Sequence, residues 1–84
     1  MTSRIPSTVI YRKLGEEIVM LNLESGLYFG LNQTGSEIWE MYLDGRENEE
    51  IVEAMALRYE MSKEQIRLHI GMLLTELKEN GLIF

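Results

Sequence analysis

At Asn32 the spacing of apolar residues changes from a strand pattern to a helix pattern, and this change admits few folds. Before it, Thr8 to Arg12 opens with the β-branched and aromatic residues Thr8, Val9, Ile10 and Tyr11, which favour a pleated strand, and Gly15 follows as a turn former. Glu17 to Leu23 repeats the pattern, Glu24-Ser25-Gly26 forms a tight turn, and Leu27 to Leu31 resumes it. These connections are too short for parallel crossovers, so the three strands are expected to form an antiparallel meander. The third strand then lies at an edge, where unpaired backbone groups call for cover, charge or a partner.

After Asn32 the period is helical. Asn32 and Thr34 are both N-cap types, and Thr34 with Glu37 matches a capping box. Helix one is predicted to run to about Leu43, with Ile38, Trp39, Met41, Tyr42 and Leu43 as its apolar surface and Asp44-Gly45 as its stop. Helix two runs from near Glu47 to about Tyr59, with Ile51, Val52, Met55, Ala56 and Tyr59 on one face and an acidic first turn suited to the helix dipole. Ser62-Lys63-Glu64-Gln65 opens helix three with another capping-box pattern, and Gly81 ends it after about Asn80. Strands over about 8–31 and helices over about 33–80 make one α+β domain spanning 1–84. Its expected fold is a three-stranded antiparallel sheet followed by a three-helix bundle, in the manner of a winged helix-turn-helix.

Helix three carries a broad stripe of Ile66, Ile70, Leu73, Leu74 and Leu77, while Leu68 and Met72 point to roughly the opposite side. The stripe is an ordinary core face. Leu68 and Met72 read as tolerated exposure or as a contact surface.

Little here supports catalysis. The 84 residues contain no cysteine, which removes disulfides, thiolate metal sites and thiol nucleophiles. His69 is the only histidine, so a two-histidine metal site is excluded, and a half-exposed helix histidine is its ordinary reading. Glu47, Glu49, Glu50 and Glu53 sit where a solvated helix start places carboxylates. The glycines match neither a Walker nor a dinucleotide spacing, and Trp39 beside Ile38 reads as core rather than as a base-stacking platform. No cofactor or metal is expected.

Charge and hydropathy bear on partners. Eight basic against fourteen acidic residues leave a formal charge of -6, which disfavours nucleic acid. Helix three sets Lys63, Arg67 and Lys78 against Glu64, Glu76 and Glu79, so the helix that would enter a major groove lacks a basic face. No stretch has signal-peptide character or approaches the ~18 uncharged residues of a membrane span. A cytoplasmic protein with no membrane partner is the expectation.

One set of residues carries a resemblance. The run from Gly15 through Gly26, then Tyr28-Phe29-Gly30-Leu31-Asn32, Thr34-Gly35, Ile38-Trp39 and Asp44-Gly45 is similar to the PqqD-like family, the recognition domains for ribosomally made, post-translationally modified peptides. Glu49-Glu50-Ile51-Val52 and Glu79-Asn80-Gly81-Leu82 fit as well, so the similarity extends from about Val9 to Leu82. Glu24-Ser25-Gly26 stands where the pyrroloquinoline quinone member usually has a proline-containing turn, and the chain resembles more closely the stand-alone B1 leader-binding proteins of lasso-peptide clusters.

The resemblance implies a non-catalytic module that binds the leader segment of a precursor peptide as an extra antiparallel strand on its third strand. It implies delivery to a separate enzyme, either a transglutaminase-like leader peptidase of the B2 type or another maturation enzyme. Leu27, Tyr28, Phe29, Gly30 and Leu31 would form the edge. Ile66, Arg67, Ile70 and Leu74 would form the groove wall on helix three, with His69 on the opposite border as the alternative. A small winged-helix DNA-binding regulator is the competing function.

Overall fold

The computed structural model describes residues 4–84. Three strands, β1 (Val9–Leu14), β2 (Glu17–Asn22) and β3 (Leu27–Leu31), form an antiparallel sheet in the order β1-β2-β3. Three helices follow, α1 (Gln33–Leu43), α2 (Asn48–Tyr59) and α3 (Lys63–Glu79). β1 runs two residues beyond the predicted Arg12 because Leu14 pairs with Glu17 across a two-residue turn. Gly15 has φ +66° there, at the first central position, where a type II′ hairpin turn needs a positive value.

The helix ends follow local chemistry. Asn32, not Thr34, caps α1: its side-chain oxygen accepts from the Gly35 N–H at 2.8 Å. Thr34 already lies inside the helix, so the predicted Thr34–Glu37 box does not form. Glu37 instead accepts from the Tyr59 hydroxyl at 2.6 Å and pairs with Arg58 at 3.0 Å, tying α1 to the end of α2. Ser62 caps α3 by accepting from the Gln65 N–H at 3.2 Å. Glu60 takes φ 53° between α2 and α3, a left-handed conformation that costs a non-glycine residue about 1–2 kcal/mol. At the far end of α3, the Gly81 N–H donates to the Lys78 carbonyl and the Leu82 N–H to the Leu77 carbonyl. This is the paired closure of a Schellman motif, with Gly81 at φ +69° and Leu82 folded back onto Leu77.

Alternation sends Val9, Ile18, Met20 and Leu31 toward the helices, where they form one core cluster with Trp39, Leu77, Leu82 and Ile83. A second cluster lies wholly between helices and consists of Ile38, Ile51, Val52, Met55, Ile66 and Ile70. Leu73, Leu74 and Tyr42 pack against both and join them. Trp39 is fully buried with the Tyr11 ring at 4.4 Å in an edge-on contact, which agrees with the core role read from the sequence.

Candidate functional site

The site begins with hydrogen-bond parity in the sheet. The Leu23 N–H donates to the Thr8 carbonyl at 2.8 Å, so every second residue of β2 counted from Leu23 turns its backbone groups toward β1. Asn22, Met20 and Ile18 therefore turn theirs toward β3, where they face Leu27, Phe29 and Leu31. On β3 this leaves the N–H and C=O of Tyr28 and Gly30 directed away from β2, along an edge that no other strand of the sheet occupies. A Cβ placed on Gly30 would meet no atom within 4 Å, so the solvent face beside this edge is uncovered at its centre.

The side chains alternate across the same strand. Leu27 and Phe29 are half-buried against the core shared with Leu73, and Leu31 is buried. Tyr28, on the other face, is 70% exposed. The expectation that Tyr28 and Phe29 take opposite faces, with at least one against the core, is met by Phe29.

Asn22 joins this strand pair to α3. Its side-chain oxygen accepts from the Glu24 and Ser25 N–H groups at 3.0 and 3.3 Å, and its amide nitrogen donates to the Asn80 and Gly81 carbonyls at 3.4 and 3.3 Å. The β2–β3 turn is thereby held against the end of α3, and a cavity of about 470 Å³ opens there between Ser25, Gly26 and Leu27 on one side and Glu79 and Asn80 on the other. At the other end of β3, Glu37 of α1 reaches Tyr59, four residues before α3 begins. α3 thus runs back along β3, with its C-terminal end at Leu27. Asn22 was not among the site residues read from the sequence; its one signal is an asparagine inside a strand run, where this residue type is depleted.

The two flanks of α3 have different neighbours. Arg67 lies on the flank that meets α2, where its guanidinium makes two-pronged contact with Glu49 at 2.7 and 2.8 Å. That hydrogen bond holds the Glu49 carboxyl below its usual range. Leu74 is half-buried on the same flank and shares a cavity with Tyr42, Asn48, Ile83 and Phe84. Ile66 and Ile70 are 2% and 1% exposed in the interhelical core, because α2 covers them. The structure gathers Leu27 to Leu31 along one edge, encloses Ile66 and Ile70 between helices, turns Arg67 to α2, and packs Leu74 against both core clusters, including the one that holds Leu31. One helical turn back from Asn80 lies Glu76, two turns back Leu73 and three turns back His69, so this opposite flank is the one that continues from the Leu27 cavity.

The solvent face of the sheet is a second surface. Ile10, Leu21 and Tyr28 lie side by side across the three strands, with Arg12, Val19 and Gly30 in the adjacent row. Ile10, Arg12, Leu14, Val19, Leu21 and Tyr28 line a shallow depression of about 590 Å³. Ile10 and Leu14 are each more than half exposed on this face.

Among the described residues, no group of three histidine, cysteine, aspartate or glutamate side chains is arranged to hold a metal ion. Among the same residues, no helix is long and apolar enough to cross a membrane.

Comparison with known proteins adds three findings. The family described as coenzyme PQQ synthesis protein D (PqqD) matches residues 17–83. Among solved structures, TbiB1 in complex with the TbiA(beta) leader peptide is similar at 31% identity over 95% of this chain and 93% of that one, with a TM-score of 0.89. A lasso peptide synthetase B1 complexed with the leader peptide is similar at 28% identity over 96% of this chain and 95% of that one, with a TM-score of 0.91. No curated protein sequence matches significantly.

Proposed function

This chain belongs to the PqqD family, and on that premise we propose that it captures the leader segment of a ribosomal precursor peptide by strand addition to β3 and delivers it to a separate processing enzyme. The observation that carries the reading is the open edge, where the Tyr28 and Gly30 backbone groups face away from the sheet above the half-buried Leu27 and Phe29. Main-chain pairing along such an edge supplies affinity that tolerates sequence variation, and pockets for alternate side chains supply selectivity. The complexes of TbiB1 and of the lasso peptide synthetase B1 with leader peptides support it. The proposed groove runs between β3 and the α3 flank carrying Leu73, His69 and Glu76, with Leu27, Tyr28, Phe29, Gly30 and Leu31 as its strand. Ile66 and Ile70 support this wall from the core, and Arg67 and Leu74 brace α3 against its other neighbours. This chain performs no chemistry itself in this reading. A transglutaminase-like leader peptidase or another maturation enzyme acts on the presented peptide.

Titration separates this function from DNA binding. The synthetic leader of the precursor encoded beside this gene is expected to bind saturably, and a pool of duplex DNA is not. Lys63 and Arg67 are each already paired with a carboxylate of α2. Saturable DNA binding that falls steeply with salt, with no response to the leader, would reverse the assignment.

The solvent face of the sheet is the surface we assign to the processing enzyme, since it is apolar and stays exposed while β3 is occupied at its edge. Replacing Ile10 and Leu14 together by serine is expected to leave leader affinity unchanged, because neither residue reaches the groove. Leader removal by the partner peptidase should slow more than tenfold, as for loss of an interface hot spot of about 2 kcal/mol. Unchanged processing by the folded double variant would remove this face from the assignment.

A further inference from the structure

The cavity at the foot of β3 bears on what the leader carries. We infer that the bound peptide places a lysine or arginine just C-terminal to its paired segment, with the cation seated between Glu79 and the carboxyl end of α3. The inference rests on the strand-addition reading and adds the side chain that the groove selects.

Direction comes first. β3 runs from Leu27 to Leu31, so an antiparallel guest runs from the Leu31 end toward Leu27 and leaves the sheet at the cavity lined by Ser25, Gly26, Leu27, Glu79 and Asn80. The next side chain beyond the paired segment enters this space. A Cβ on Gly26 would meet nothing within 4 Å, and Leu27 presents a half-buried apolar side chain at the mouth. A long methylene stem can lie on Leu27 while its charged head reaches past it.

The sign follows from the neighbours. Glu79 is the acidic residue that lines this cavity, and among the described residues no cation lies within ion-pair distance of it, whereas Glu37, Glu40, Glu49 and Glu53 are each paired. Lys63 and Arg67 turn toward Glu53 and Glu49, and Lys78 lines the cavity on the other side of α3 with Tyr42 and Phe84. The last carbonyls of α3 already have donors: Glu76 accepts from Asn80, Leu77 from Leu82 and Lys78 from Gly81. A neutral donor therefore finds little backbone to satisfy, while a cation gains the Glu79 carboxylate.

The test is a charge cycle with the synthetic leader of the neighbouring precursor gene, in which each lysine and arginine is replaced in turn by glutamine. One replacement, C-terminal to the paired segment, is expected to lower affinity three- to tenfold against the unaltered protein and to have no further effect against Glu79→Gln. Glu79→Lys should weaken the natural leader and recover binding to a leader with glutamate at that position, and both effects should shrink in high salt. Strictly additive losses at every basic position, or full affinity of Glu79→Lys for the natural leader, would overturn the inference. Gly30→Pro is measured alongside. If it alone abolishes binding, strand addition stands and only the cation site falls; if it binds normally, both fall.

Discussion

Gly30→Pro is expected to keep its fold and to bind the leader at least tenfold more weakly. Proline removes a backbone donor and fixes φ, and inside a ladder both changes are costly. At Gly30 the donor faces away from β2, so no bond of the sheet is lost, and edge strands are where proline is tolerated. The space around its Cβ is open as well. The cost falls instead on the guest strand, which loses a donor opposite one of its carbonyls. An unmatched polar group of this kind costs about 1–3 kcal/mol, and the ring adds a steric barrier where two backbones should approach to pairing distance. Circular dichroism and calorimetric titration read the two halves of the expectation separately. A leader N-methylated at alternate residues should give the same loss without any change to the protein. A folded variant with undiminished affinity, together with full binding of the methylated leaders, would place recognition elsewhere.

The largest stability effect is expected at Asn22. Asn22→Ala removes four hydrogen bonds that span the β2–β3 turn and the end of α3, in a side chain only 7% exposed. At about 0.5–1.5 kcal/mol each, with some replaced by water, the expected loss is roughly 2–4 kcal/mol. For a domain of this size that lowers the melting temperature by roughly 10–25 °C. Leader affinity should fall too, because the foot of the groove exists only while α3 and the hairpin are held together. Asn22→Asp should not rescue it: a carboxylate keeps the two acceptor contacts but faces the Asn80 and Gly81 carbonyls with no donor. A melting temperature within two or three degrees of the parent would show that backbone packing alone positions α3.

The contrast between Asn22 and Gly30 shows how much was legible in the chain. Gly30 could be placed on an edge from local signals, since turn residues on short connections imply a meander and a meander has a free last strand. Tyr28 and Phe29 were assigned to opposite faces by strand alternation, and Trp39 to the core by the company it keeps. Two of the four hydrogen bonds of Asn22 are local, to Glu24 and Ser25, but the two that reach α3 span 58 and 59 positions, so nothing adjacent to it announces them. The cap of α1 was a near choice between Asn32 and Thr34. It was decided when Tyr59 and Arg58 of α2 took the Glu37 carboxylate that a local box would have used.

Spacing and turn chemistry within the sequence determined the element order, the antiparallel sheet, the free β3 edge and the buried stripe of α3, because each depends on residues close along the chain. Which neighbours each border of that stripe meets was decided only in three dimensions. An amphipathic stripe defines the face a helix buries, but its two borders are chemically similar, and Arg67 on one and His69 on the other were both candidates. In the fold the two borders acquire neighbours distant in sequence: Glu49 pairs with Arg67 on the α2 side, and Asn22 ties the end of α3, through the Asn80 and Gly81 carbonyls, to the β2–β3 turn. A helix has no local means of distinguishing these two rotations, so the groove wall is a property of the packed protein rather than of any segment in it.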